Sequence, residues 1–205
     1  ASSPPARRLA GMARDPLRQR TVLFGGVGAG TSLRDDTWEW NGSTWSARTP
    51  TVSPGARAAH ALAFDPVHGR VLLFGGSSWI PFSPLVHHAD TWHWDGTSWT
   101  QLSPATSPPP RDGHAMATDF QRQRIVLYGG GDGNQLGDTW EWDGITWTKR
   151  AEGWPSARWG HAMAYDSARG VTVLFGRRGE GLEPTTFVWD GAVWKSGGKG
   201  DVENK

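Results

Sequence analysis

The 205-residue chain contains no cysteine. Disulfides, thiolate metal sites and cysteine nucleophiles are therefore excluded, while cytoplasmic and exported settings both stay open. An excess of one charge is also missing, since 21 Lys+Arg stand against 20 Asp+Glu, for a net charge of +1. With no basic surplus there is no counterion-release drive toward DNA or RNA, and nucleic acid is not an expected partner. No apolar run reaches the roughly eighteen residues of a membrane span. The opening "ASSPPARR" lacks the apolar core of a signal peptide, and the missing initiator Met points to a processed or trimmed form. A soluble mature chain without a membrane partner is expected, with a secreted or periplasmic bacterial setting slightly favoured over the cytoplasm.

What is abundant is glycine, proline and tryptophan, at 28, 14 and 14 residues. That mixture suits short strands and tight turns, so almost no helix is expected. The decisive feature is a repeat. Four apolar segments, "TVLFGG" (21–26), "VLLFGG" (71–76), "IVLYGG" (125–130) and "VTVLFG" (171–176), are each followed by a tryptophan-rich phrase: "DDTWEWNGSTW", "ADTWHWDGTSW", "GDTWEWDGITW" and "TTFVWDGAVW". The corresponding tryptophans Trp40, Trp94, Trp142 and Trp189 are spaced by 54, 48 and 47 residues.

Each unit parses into four strands. A strand such as "HALAFD" is followed by a turn and then by a β-branched and aliphatic strand that ends at the Gly pair. After a variable loop come a third strand ("DTWHW") and a short fourth one around Trp45, Trp99, Trp147 or Trp194. Asn41-Gly42, Asp95-Gly96, Asp143-Gly144 and Asp190-Gly191 supply the last hairpin turn, because these residue types tolerate positive φ. A tandem four-stranded antiparallel unit of this length is the signature of a β-propeller blade. The expected fold is all-β, with four blades at about 7–52, 53–106, 107–153 and 154–195 between polar tails at 1–6 and 196–205.

The Gly doublet, followed at a distance by Trp, an Asp-Gly turn and a second Trp, resembles the kelch-repeat family over residues 7–195. The fourth copy departs, with Arg177 replacing the second Gly and Phe187 replacing a Trp. Kelch propellers usually have six or seven blades and commonly mix strands from both chain ends in one blade. Here four whole blades are read and no such clasp. The chain closes as a four-bladed ring, joins a second copy to make eight, or belongs to a larger ring.

The strand order brings the loops entering strand one and those linking strands two and three to one face. Variable loops on a rigid scaffold are where recognition sits. The resemblance implies that Arg7, Arg57, Arg111 and Arg158, at equivalent blade entrances, contact a ligand as they do in kelch receptors for acidic peptides. The bland alternative is that each bonds carbonyls of the next blade. Arg34, Trp79, His87, His88, Asn134 and Arg177, in the two-to-three loops, complete the candidate binding set. Trp79 belongs to an apolar group with Ile80, Phe82, Leu85 and Val86, which marks either an interface or a cover for the channel or a blade edge.

His60, His114 and His161 each lie three residues after a repeat arginine, with Ala10 at the matching place in unit one. In a four-membered ring of sheets about 10 Å apart, inner strands lie roughly 6 to 7 Å from the axis, near enough for three imidazoles to converge on a divalent metal. In a ring of eight they cannot meet, and the bland reading is a hydrogen bond to neighbouring backbone. Asp15, Asp65, Asp119 and Asp166, with Arg20, Arg70 and Arg124 five residues on, read as turn-locking pairs. Asp36, Asp90 and Asp138 read as backbone caps, and Glu39, His93 and Glu141 as bridges between blades.

Among kelch-type enzymes, the copper-radical oxidases need a Cys cross-linked to Tyr and are excluded. The iron motif of the plant specifier proteins is absent too, since no histidine has Asp four residues before it. A reaction of sialic-acid epimerase type would find Arg, Glu and His at the channel mouth, without a distinctive spacing. The leading expectation is a non-enzymatic module that needs no cofactor and binds a peptide, protein or glycan on the arginine-rimmed face. The alternatives are a metal-assisted hydrolase or lyase at His60, His114 and His161, and a self-assembling structural propeller, for instance a homodimer.

Overall fold

The fold is taken from a computed structural model, in which residues 3–79, 84–176 and 185–197 are described. The strands form four antiparallel four-stranded sheets, each running in chain order. Blade one holds β1 (Gly11–Asp15), β2 (Arg20–Phe24), β3 (Thr37–Trp40) and β4 (Trp45–Arg48). Blade two holds β5 (Ala61–Asp65), β6 (Arg70–Phe74), β9 (Thr91–Trp94) and β10 (Trp99–Leu102), with a small hairpin of β7 (Ser77–Ser78) and β8 (Val86–His87) raised on its loop. Blade three holds β11 (Ala115–Asp119), β12 (Arg124–Tyr128), β13 (Asp138–Trp142) and β14 (Trp147–Glu152). Blade four holds β15 (Ala162–Asp166), β16 (Val171–Gly176), β17 (Thr185–Trp189) and β18 (Trp194–Ser196). The one helical turn among the described residues is the 3-10 turn at Ala29–Thr31, and no helix there is long and apolar enough to cross a membrane.

Local chemistry sets each blade. Asn41, Asp95, Asp143 and Asp190 accept the N–H groups two and three residues on, at 2.8–2.9 Å, and the following glycine takes a positive φ, 101° at Gly42. The first turn is locked by Asp15, Asp65, Asp119 and Asp166 as expected, but their charged or imidazole partners are Arg18, His68, Arg122 and Arg169, three residues on. Arg20, Arg70 and Arg124 lie directly across the β-ladder from the first three aspartates and make none of these pairs.

The innermost strands β1, β5, β11 and β15 stand side by side in that order. Together they line a channel cavity of about 390 Å³ with Met12, Leu62, Met116 and Met163 on its wall. The core sits between blades. Three apolar clusters join blade one to two, two to three and three to four, and the same pieces recur in each. Phe24, Phe74 or Tyr128, at the end of the second strand, is fully buried against Trp99, Trp147 or Trp194 of the next blade, with ring centroids 5.2–5.3 Å apart.

Polar contacts run through the same seams. The indoles of Trp94, Trp142 and Trp189 donate to carboxylates of the preceding blade, Glu39, Asp65 and Glu141, at 2.9 Å each. The indoles of Trp99, Trp147 and Trp194 donate to Thr37, Thr91 and Thr139 at 2.9, 3.1 and 2.8 Å. Glu39 and Glu141 thus bridge blades as expected. His93 reaches across as well, with its ring edge-on to Trp142 of blade three at 6.2 Å, while Asp65 accepts the Trp142 indole N–H.

Among the described residues no apolar cluster joins blade four to blade one. Phe175, the counterpart of the three buried rings, is 53% exposed. Trp40 and Trp45, counterparts of the buried indole pairs, are half-buried.

Phe74→Ala empties a fully packed seam and is expected to cost about 3 to 5 kcal/mol in urea unfolding. Ile145→Ala, at a 77% exposed turn position, is expected to stay within about 0.5 kcal/mol.

Candidate functional site on the loop face

The repeat arginines are structural clamps. Arg57 and Arg111 are 3% and 0% exposed. Arg7, Arg57 and Arg111 each grip Asp36, Asp90 or Asp138 through two hydrogen bonds of 2.6–2.9 Å and also donate to Gly25, Gly75 or Gly129. Those aspartates are therefore not simple backbone caps, for each also accepts the indole of Trp38, Trp92 or Trp140 at 2.7 Å. Burial pushes the Asp36, Asp90 and Asp138 carboxyls up, but the arginine and indole donors outweigh it and hold all three below the usual range. In blade four Thr185 stands where these aspartates do, and Arg158, 2% exposed, places its guanidinium 4.7 Å from the Phe187 ring and donates to Gly176.

These side chains close their own blades. They do not rim the mouth, and the carbonyls they bond belong to the same blade and not the next one. It is their backbone that crosses over. The N–H groups of Gly26, Gly76 and Gly130 donate to the carbonyls of Arg57, Arg111 and Arg158 at 2.8–2.9 Å. A Cβ at Gly25 would come within 2.7 Å of the Arg57 carbonyl, which is why the first glycine of the doublet has no side chain.

His60, His114 and His161 border a mouth cavity of about 360 Å³, but their rings turn sideways into the seams. They pack edge-on against Phe24, Phe74 and Tyr128 at 5.5–5.6 Å, and His60 Nε2 accepts the Gly11 N–H at 3.2 Å. The seam contacts hold the rings apart, and among the described residues the ligand atoms of these three do not converge within 4.8 Å of one another. Burial, and then the nearby arginine charge, pushes His60 down to about 3 and His161 down to about 4. His114 falls well below its ordinary value for the same reasons.

The loop residues divide. Arg34 lies over Gly28, where a Cβ would meet its guanidinium, so it is committed to its own loop. The Nε2 atom of His88 is 2.8 Å from Ser78 Oγ. Trp79 is half-buried, and Arg177, Ile80 and Phe82 lie outside the described residues. His87 and Asn134 do come together, in a cleft of about 330 Å³ shared with Leu85, Asp112 and Trp159.

Trp159 and Asp112 were not singled out by the sequence reading. Trp159 follows a repeat arginine, where the other blades carry Arg8, Ala58 and Asp112. A tryptophan outside the repeat's own tryptophan positions was the available signal. Its indole lies against Gly113, where a Cβ would strike it, and donates to Asp112 at 2.7 Å while Ser77 Oγ holds the other Asp112 oxygen at 2.6 Å. Trp159 is nevertheless 45% exposed, and it borders both the cleft and the mouth cavity.

A scaffold of tandem four-stranded antiparallel blades around a central channel is a β-propeller. The family model for the KLHDC2/KLHL20/DRC7 Kelch-repeats domain matches residues 1–176, and the chain belongs to the kelch-repeat family. No curated protein matches it. Kelch propellers generally bind proteins.

Arg111→Met leaves Asp138 buried without its cation, an expected loss of about 3 to 5 kcal/mol in chemical unfolding. The three imidazoles are neutral in the fold but take protons near pH 6.5 when unfolded. Below that pH the unfolded state binds more protons, so stability falls as pH drops from about 6.5 toward 4. His161→Gln should flatten this slope by about 1.4 kcal/mol per pH unit, as read from urea unfolding at stepped pH.

Proposed function

We propose that the chain is a recognition module that takes a protein segment in the loop-face cleft, with Trp159 as its anchor. The observation that carries this reading is a large aromatic side chain left nearly half exposed while its indole is fixed by Asp112. A tryptophan held in one orientation loses little freedom on binding, and such residues dominate binding energy at protein interfaces. Leu85, half exposed on the facing loop, supplies apolar surface. His87 and Asn134 offer hydrogen-bonding groups that fix an extended chain. The arginines support the reading indirectly, by holding rigid the entrances on which the cleft is built.

A second reading is favoured by the open seam. Blade four presents Phe175, and blade one presents Trp40 and Trp45, in the places that are buried at the three filled seams. These faces carry the residue types that meet at the existing interfaces. A second copy that joined head to tail, blade four on blade one, would fill both seams in a ring of eight blades.

Peptides selected from a display library on the chain are expected to lose at least tenfold in affinity on Trp159→Ala, with the melting temperature unchanged. Selection of a glycan in place of a peptide, or unaltered affinity, would overturn the first reading. For the second, light scattering on a sizing column should give twice the chain mass, and Phe175→Ser should return it to one. A monomeric wild type would sink it.

A further inference from the structure

Blades one and three carry the same charged arrangement under their first turns. In blade one, Arg18 bridges Asp15 and Glu39 at 2.7 and 2.6 Å, and Arg48 takes the other oxygen of Glu39 at 2.7 Å. In blade three, Arg122 bridges Asp119 and Glu141 at 2.7 and 2.6 Å, with Arg150 at 3.4 Å from Glu141. Blade two changes three of the four positions together. His68 stands where Arg18 and Arg122 do, His93 replaces the glutamate, and Leu102 replaces Arg48 and Arg150, while Asp65 is kept.

The result is one buried carboxylate facing two imidazoles. His68 Nδ1 and His93 Nε2 each lie 3.0 Å from Asp65 Oδ2, and the three ligand atoms all fall within 4.8 Å of one another. Asp65 is 0% and His93 3% exposed. Nε2 of His93 is buried and faces Asp65 without a well-aligned hydrogen bond, so this nitrogen is aimed into the cluster. Asp65 is oriented from outside by the Trp142 indole at 2.9 Å and by the backbone N–H of Val67 at 2.9 Å. The His68 side chain is 42% exposed, and a cavity of about 300 Å³, bordered by His68, His93 and Leu102, opens on the group.

We propose that Asp65, His68 and His93 form a binding site for a first-row divalent cation, Zn²⁺ being the best match, which takes the place of the bridging guanidinium of blades one and three. Two imidazoles and a carboxylate suit Zn²⁺ and its neighbours, whereas Mg²⁺ and Ca²⁺ prefer all-oxygen sites. Tetrahedral coordination at bond lengths near 2.0–2.1 Å sets ligand atoms about 3.3 Å apart, so the cluster needs only small side-chain adjustments. Three protein ligands leave a fourth position for water on the cavity side. The Trp142 indole acts as the outer partner that orients a ligating carboxylate. Trp142 belongs to blade three, so the cation also ties that blade to blade two.

The test is titration of Co²⁺ into the full chain after chelator treatment, followed by visible absorption, with Zn²⁺ as competitor. One equivalent of Co²⁺ should bind with the bands of a four-coordinate nitrogen and oxygen site, be displaced by Zn²⁺, and raise the melting temperature. His68→Arg restores the residue type of blades one and three and is expected to fold and to lose at least tenfold in Co²⁺ affinity. His93→Gln is expected to lose as much. Absence of saturable uptake by the wild type, or wild-type affinity in either folded variant, overturns the site. If His93→Gln does not fold, His68→Arg decides alone.

Discussion

An indole N–H that donates to a buried carboxylate of the preceding blade is the contact on which this molecule depends. Neither partner is stable there alone. A carboxylate taken from water costs several kcal/mol unless its oxygens are satisfied, and a tryptophan buries its ring well only when the N–H finds an acceptor. Glu39 answers both needs, receiving Arg18, Arg48 and the Trp94 indole. Burial pushes its carboxyl up, and these donors bring it back below the ordinary value. The fourteen tryptophans are therefore mostly mortar, and their number says little about ligands.

The arginine clamps and glycine doublets carry this order upward to the loop face. Each clamp fixes the start of a blade, and the carbonyls of Arg57, Arg111 and Arg158 are read by a glycine N–H of the blade before. Features shared by every blade are spent on the frame. Candidate recognition and metal chemistry appear where a blade departs from its siblings, at Trp159 in blade four and at His68 and His93 in blade two.

The fold was legible because its signals are local and repeated. Gly doublets, Asx-Gly turns and paired tryptophans each mark a strand end or a seam, and four agreeing copies left little freedom in the architecture. The site was much less legible. Arg57 and Arg111 stood out by recurrence, yet recurrence marked what the scaffold needs, and the partners Asp90 and Asp138 lie 33 and 27 residues away. The histidine trio failed for a directional reason, since spacing reports which strand a residue occupies and not which way its ring turns. Trp159 was hidden among tryptophans of another origin, and the blade-two cluster shows only when equivalent positions are compared across the seam-facing strands.

At the mouth, the N–H groups of Ala59, Gly113 and Gly160 donate to the carbonyls of Leu9, Ala59 and Gly113, at 2.9, 2.8 and 2.8 Å. Every bond in this relay points the same way around the axis, as do the indole bonds below it. The glycine-doublet bonds run the opposite way, from Gly26, Gly76 and Gly130 to the next blade's Arg57, Arg111 and Arg158 carbonyls, so each seam is laced in both senses. The two faces of a blade are nonetheless different surfaces. A contact between copies that repeated these seams would be head to tail, and would either close on itself or continue without end.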